Sequence, residues 1–481
     1  MKLLLKRIIL IFLLTASISI LAVYVYNHSD GEDVTQYINL RDQTDDYDRL
    51  FDNSNFKTFT ISFEEDIFDT MLLNMQEHFD VYGDYIDNSM YSVNLTYTDS
   101  TESFTVLEVG FRTKSTTSRN LLMTTDWRGR EIYHQTSFQL EFNETFEYAD
   151  STSINEILGK REVFNLEQLN FEYSQIYDSE YDETMISEAY THYLYKQAGV
   201  LVANASYGLV YLKVGDTLVG YGLYTILEPI DSEFLKDNFK SDKALEYGDL
   251  YKVTDVAGEG TLDTNYEDLL GISNDDFRYT YALRNNTLDD TRRTYGNFED
   301  FIEAINDFDY FEENYDSIID IDMFIRYLAI SFLVGNSDDL RYNFNNYYLY
   351  FDVYTNKVTF VPFDLDNTLG FGKSYDLSGS FMTDYSIYFN LDNPSPLITN
   401  VFKIPKLMSL YTQYLNLFTE DYFNFSSFEI MYLEAIELYE DVLILEDHLG
   451  NKEFGLRNIE WYFEKKLEYV LVELPEIIYI T

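Results

Sequence analysis

The chain is 481 residues long, 46% hydrophobic and rich in aromatics (45 Tyr and 37 Phe), a composition that demands packed cores and excludes wholesale disorder. Its 33 Lys+Arg against 84 Asp+Glu leave a net charge of −51, which repels phosphate backbones and excludes nucleic acid as a main partner. With no cysteine, disulfides and thiolate chemistry are excluded, and the scattered His28, His78, His134, His192 and His448 lack the spacing of a histidine-built metal site.

The first element is an uncharged apolar run, Ile8 to Tyr26, long enough as a helix to cross the hydrocarbon of a bilayer. Lys2, Lys6 and Arg7 precede it and Asp30, Glu32 and Asp33 follow it. The positive-inside rule then leaves the N-terminus in the cytoplasm and exports the rest. The expectation is a single-pass cell-membrane protein with its bulk extracytoplasmic, or a secreted one if the segment is a cleaved signal. Residues 1–27 are read as the anchor and the Asp-rich 28–55 as a polar stalk. Alternation then predicts strands at Lys57–Phe63, Val93–Tyr97, Phe104–Val109 and Ser137–Phe142. A helix is expected over Glu183–Ala198, with Ile186, Tyr190, Tyr193 and Leu194 on its buried face and Gly199 as its stop. Strands Leu209–Lys213 and Gly222–Leu227 flank a Gly215-Asp216 turn. Helical periodicity follows at Phe301–Asn306, Asp322–Val334, Pro405–Phe418 and Phe428–Leu449. The organisation is α+β, with a β-rich lobe over 56–285, the core of a mostly α C-terminal lobe over 286–400 and a helical extension over 401–481.

One stretch concentrates chemistry-bearing residues. Gly335 ends a helix and a polar loop with Asp338 follows it; apolar runs Tyr347–Phe351 and Val358–Phe363 are then joined by a turn-like Asp352–Lys357. Paired as an antiparallel hairpin, the start of the first run lies beside the end of the second. This brings Asn346 next to Asp364 and Asp366, with Asp338 nearby. A carboxylate able to activate a hydroxyl, a neutral amide and oxygen ligands for a hard cation are the parts that phosphoryl transfer needs. Rival motifs fail on spacing. A calcium loop starting at Asp364 would need glutamate where Tyr375 stands, a P-loop ending at Ser374 would need glycine where Asn367 stands, and no Gly-x-Ser-x-Gly elbow occurs.

These stretches resemble the CotH kinase-like family, the spore coat protein H-like atypical protein kinases. The resemblance rests on Gly110–Arg119, Gly220–Asp231, Gly248-Asp-Leu-Tyr-Lys252, Gly335–Asp338, Asn346–Tyr350 and Pro362–Gly370, in that order. It implies a two-lobed, atypical protein-kinase-like fold that uses ATP with Mg²⁺ or Mn²⁺ to phosphorylate Ser or Thr hydroxyls on an envelope or coat protein. It further implies Asp338 as the catalytic aspartate and Asp364 and Asp366 as metal-binding residues. The metal-binding asparagine is Asn346 by its place before the Tyr-Tyr-Leu-Tyr strand, with Asn343 the alternative by its offset from Asp338. Lys114 and Lys252 would hold nucleotide phosphates, and Glu228 would pair a lysine or line the adenine pocket. Two departures support a second expectation, a non-catalytic surface or coat protein that binds partners. Ser115 replaces the glycine of the nucleotide-loop segment, and His134–Phe142 has none of the lysines of the family's strand.

Overall fold

The computed structural model describes residues 44–114, 119–146, 152–173, 175–176, 180–239, 248–273, 278–284, 295–371, 382–388, 394–445, 453–456 and 458–474. The expected anchor at residues 8–26 and Ser115 lie outside them. Among the described residues no helix is long and apolar enough to cross a membrane. The chain divides into two compact units. One comprises the residues up to Phe171 together with Gly208–Gly222, and the other comprises Glu172–Tyr207, Leu223–Leu445 and the C-terminal residues.

The main strands of the first sheet, in chain order, are β1 (Lys57–Phe63), β2 (Tyr91–Asp99), β3 (Ser103–Thr113), β4 (Phe138–Glu141), β5 (Gln168–Tyr173), β6 (Ala205–Val214) and β7 (Thr217–Leu227). They close into a barrel in the order β1-β6-β7-β5-β4-β3-β2. Closure removes exposed sheet edges, and β1 shows how the sequence specifies it. Its alternate residues Phe59, Ile61 and Phe63 are buried, and it pairs antiparallel with β2 and parallel with β6. Inside the first unit Phe138 stacks between Phe111 and Phe171, with ring centroids 5.0 and 4.6 Å apart. Helix α1 (Glu65–Tyr82) follows β1 and has no counterpart in the sequence reading. Only Phe68, Met71 and Met75 of it are buried, a narrow stripe on an otherwise polar helix, and Gly83 ends it at φ +86°.

A buried lysine ties the start of the described chain to this unit. Lys57, on β1, is fully buried, and its Nζ donates to the carbonyls of Leu50 and Asp52, both at 2.7 Å. Burial outweighs the attraction of Asp52 and Asp99 and lowers its pKa from 10.5 to about 7. Between those values the unfolded chain holds a proton that the folded chain does not, so this group makes stability rise with pH across that window. The slope is at most about 1.4 kcal/mol per pH unit, and it vanishes below the folded pKa. Denaturant titrations of Lys57→Met across the window should lose that slope; an undiminished slope would assign it to other groups.

The second unit carries a five-stranded sheet formed by β8 (Leu250–Val253), β9 (Leu270–Ile272), β10 (Tyr281–Leu283), β11 (Tyr347–Asp352) and β12 (Lys357–Pro362), in the order β9-β10-β8-β11-β12. A boundary at residue 285 leaves three of these strands on one side and the β11–β12 hairpin on the other. The helices of this unit include α2 (Ser187–Gln197), α3 (Ile321–Val334), α4 (Pro405–Asp421), α5 (Phe425–Leu445) and α6 (Ile459–Glu473). Helix α3 is buried nearly all round. Asp320 caps its first turn by accepting from the Met323 N–H, and Gly335 ends it at φ +66°. Phe324 and Tyr327 of α3 pack on Phe360 of β12, which stacks on Tyr347 of β11 at 4.8 Å between ring centroids. The helix that delivers Gly335 and the hairpin that delivers Asn346 and Asp364 therefore share one aromatic core.

Candidate functional site

The hairpin forms as its pattern requires, with Tyr347 opposite Pro362 and Asp352 opposite Lys357. At its open end the Phe363 N–H donates to the Asn346 carbonyl at 3.2 Å, which sets Asn346 beside the strand exit at Asp364. Asn346 and Asp364 both adopt φ +57°, a left-handed conformation that Asn and Asp tolerate better than most side chains. Asn346 is 5% exposed, and its Nδ2 has no hydrogen-bond partner among the described residues. Asp364 is exposed, whereas Asp366 is half-buried and accepts from Asn367 Nδ2 at 2.5 Å.

The loop after α3 is stitched to the strand exit by main-chain bonds. The Ser337 N–H donates to the Asn367 carbonyl at 3.2 Å, and the Leu369 N–H to the Val334 carbonyl at 2.6 Å. The adjacent acids of this loop divide their labour. Asp339 is buried, and Tyr327 Oη at 2.9 Å, Ser331 Oγ and the N–H groups of Arg341 and Tyr342 all donate to it, so it anchors the loop. Asp338 is held instead by side-chain amides, with Asn343 Nδ2 at 2.6 Å and Asn345 Nδ2 at 3.4 Å on its Oδ1. The structure thus separates the two asparagines that the sequence left open: Asn343 holds Asp338, and Asn346 abuts the strand exit before Asp364.

Lys252, on β8, pairs across from Tyr348 and sets its Nζ 4.8 Å from the ring centroid of Phe363, the residue before Asp364. The strand pairing, unforeseen from sequence separation, brings this lysine to the same sheet end. Glu228 is 3% exposed and accepts from the N–H and Nδ2 of Asn204, both at 2.9 Å, so it orders the chain before β6. Lys114 follows β3 in the first unit, where its N–H donates to the Ser137 carbonyl at 2.8 Å; the other six candidates belong to the second unit.

The sequence reading passed over Glu188, in the first turn of α2. Tyr190 and Leu194 of that helix are buried as expected, but Tyr193 is 39% exposed, and a polar face of Glu188, Thr191 and His192 is buried as well. Thr191 Oγ1 lies 2.8 Å from Thr368 Oγ1 and docks this face on the loop that follows Asp366. Glu188 is 7% exposed, and its Oε1 has no hydrogen-bond partner among the described residues. Its carboxyl is held well above the usual glutamate range by burial first, and then by the charges of Asp366, Glu172 and Asp364; a hydrogen bond with Thr225 opposes them more weakly. The helix N-terminus favours an anion by about 0.3–1 kcal/mol, well short of the several kcal/mol that burying a charge costs. The signal in the sequence was the i, i+3, i+4 spacing of three polar residues on a helix whose other face was already apolar.

Among the described residues Asp338, Asp364 and Asp366 do not form a closed three-carboxylate cage with ligand atoms within 4.8 Å of one another. Mg²⁺ does not require one, because it keeps its waters and is held by one or two carboxylates plus substrate phosphates. Asp364, Asp366 and the amide oxygen of Asn346 are oxygen ligands of the kind that pattern uses.

A family model described as CotH kinase protein matches residues 128–452, more than half of the chain. The match contains Glu228, Lys252, Asp338, Asn346, Asp364 and Asp366, leaves Lys114 outside, and runs past residue 400 into the helices that the sequence had set apart as an extension. The comparison with curated proteins gives no match. With that match covering more than half of its length, the chain belongs to the CotH kinase family.

Proposed function

We propose that this protein is an atypical protein kinase that moves the γ-phosphate of ATP to a Ser or Thr hydroxyl of an exported envelope or coat protein. Anchorage by residues 8–26, with the body outside the cytoplasm, is part of this reading. The observation that carries it is the pairing of an amide-held Asp338 with the loop bearing Asp364 and Asp366. In the reaction the acceptor oxygen forms a bond to the γ-phosphorus as the bond to the β–γ bridging oxygen breaks. The acceptor proton passes to Asp338 and ADP leaves. Asp364, Asp366 and Asn346 are the residues to hold Mg²⁺ or Mn²⁺, which supplies neutralisation of phosphate charge when bound. Lys252, at the same sheet end, is the residue to meet a phosphate oxygen in this reading, supported by its approach to Phe363 beside Asp364.

One observation favours the rival reading, a non-catalytic binding module. On β4, where the family carries lysines, Gln139 Oε1 accepts from Nε and Nη2 of Arg112 at 3.0 and 2.7 Å, and no lysine stands on the strand. Calorimetry with ATP and Mg²⁺, followed by transfer of label from γ-labelled ATP to a generic Ser/Thr acceptor, separates the two. Binding and transfer that vanish in Asp364→Ala support the kinase; silence at millimolar nucleotide supports the scaffold.

A further inference from the structure

Helix α6 holds the loop of Asp338 at two places without adding a group to the candidate site. At the root of the loop the buried Tyr462 donates from Oη to the carbonyl of Leu333, in the last turn of α3, at 3.0 Å. A Cβ placed on Gly335 would collide with the same oxygen, so the helix touches the loop's first residue. Farther along the loop the contact is relayed. Glu473, three helical turns after Tyr462 and on the same face of α6, accepts from Ser386 Oγ at 2.7 Å and from the Ile387 N–H at 2.8 Å. The Ile387 carbonyl accepts in turn from Arg341 Nη2 and from Tyr411 Oη of α4, both at 3.0 Å. Arg341 Nη1 closes the triangle by donating to that hydroxyl at 3.0 Å. Ile387 is fully buried, so its backbone groups have no water to turn to if either neighbour lets go. Arg341 belongs to the turn built on Asp339. Its N–H and that of Tyr342 donate to Asp339 Oδ1 at 2.9 and 3.1 Å, and the Asn343 N–H donates to the Asp339 carbonyl at 2.9 Å. Asp338 immediately precedes this turn and is held by Asn343 from within it. One line of hydrogen bonds therefore runs from a carboxylate on α6, through a buried backbone, to a guanidinium beside Asp338, and its charged ends make these the stronger kind.

We propose that Glu473 is a positioning residue for Asp338, acting through Ile387 and Arg341, and that α6 thereby sets the turnover of the site rather than only bracing the helices around it. The proposal rests on the reading of Asp338 as the group that takes the acceptor's proton. Bonds inside the turn fix Asp338 relative to Asp339. They do not fix how the turn sits against α4 and α6, and the Arg341 guanidinium does. A displacement of about 1 Å at a reacting group costs about 10²-fold in rate, so slack at Ile387 reads out in turnover rather than in nucleotide affinity.

The test is Glu473→Ala in the full-length chain, followed by label transfer and, without nucleotide, by amide hydrogen exchange. The expected kcat is about tenfold below wild type, with KM for ATP within about twofold. Glu473→Gln, whose side-chain oxygen accepts the same two bonds, should recover most of that loss. Placed on Asp338→Asn, Glu473→Ala should cost nothing further, because the group it positions is already gone; a merely structural defect would lower the double variant by the same factor again. Exchange at the N–H groups of Arg341, Tyr342 and Asn343 should quicken at least about fivefold in Glu473→Ala. Exchange that quickens only within residues 382–388 and the last turn of α6 would overturn the proposal, as would a kcat loss that multiplies in the double variant. Quickened exchange at residues 341–343, with no label transfer by the wild-type chain, would sustain the coupling from α6 to the loop and remove the kinase reading instead.

Discussion

Asp338→Asn is expected to lower kcat for phosphoryl transfer by about 10²- to 10⁴-fold, the range for loss of a positioned acid–base group, while leaving the affinity for Mg-ATP within about twofold of wild type. The substitution keeps the shape of the side chain and its place in the loop, because the anchoring bonds belong to Asp339, Ser337 and Asn343 rather than to the carboxylate's charge. The asparagine cannot take the acceptor's proton. Asn343→Ala gives the graded counterpart. It removes the 2.6 Å bond that orients Asp338, so kcat falls by about tenfold while the group itself remains. Asp339→Asn separates structure from chemistry on the other side. Its buried carboxyl receives two hydroxyls and two backbone N–H groups, so its loss appears first as lower stability. Rapid-quench measurement of label transfer alongside nucleotide calorimetry distinguishes the three. Full activity in Asp338→Asn would remove Asp338 from the chemistry.

Gly248→Ala should destabilise the second unit by about 3 kcal/mol, at the upper end of the cost of overpacking. A methyl group at this position collides with the carbonyl oxygen of Phe351, a backbone atom with no rotamer to move aside. The close approach exists because the Phe351 N–H donates to the Asp249 carbonyl at 2.9 Å while β8 runs antiparallel to β11. Relief requires β8 to separate from β11. That would also displace Lys252 from Phe363. The variant is therefore expected to unfold at lower denaturant and to bind nucleotide more weakly, the two effects arising from one displacement. Chemical denaturation monitored by the tyrosines of this sheet measures the first. A stability change under about 0.5 kcal/mol, as for an ordinary surface substitution, would mean that the strands do not meet here.

The C-terminal helix is joined to the core by groups that sequence periodicity could not rank. Lys466 of α6 is fully buried, donates to the Met382 carbonyl at 2.6 Å and lies 3.7 Å from the ring centroid of Phe332 on α3. Glu473 of the same helix accepts from Ser386 Oγ and the Ile387 N–H, and Arg341, three residues after Asp338, donates to the Ile387 carbonyl at 3.0 Å. The helix thus reaches the loop of Asp338 through residues 382–388.

What the amino-acid order determined by itself was local. Alternation placed β1 at Lys57–Phe63 to the residue, because one face of that strand is buried and the other is not. The apolar runs around Asp352–Lys357 placed the β11–β12 hairpin, and with it Asn346 beside the exit to Asp364, because a hairpin's register follows from its turn. Gly335 announced the end of α3 because only a residue without a side chain takes that turn cheaply. Tertiary structure decided whatever depends on partners distant in sequence. The pairing of β8 with β11 across nearly a hundred residues brought Lys252 beside Phe363, and the contact of Thr191 with Thr368 set α2 against the loop after Asp366. The different surroundings of Asn343, which donates to Asp338, and of Asn346, which abuts the exit to Asp364, also came from the fold. Identical side chains a few residues apart differ only in which neighbours the folded chain turns them toward, and neither composition nor spacing records that direction.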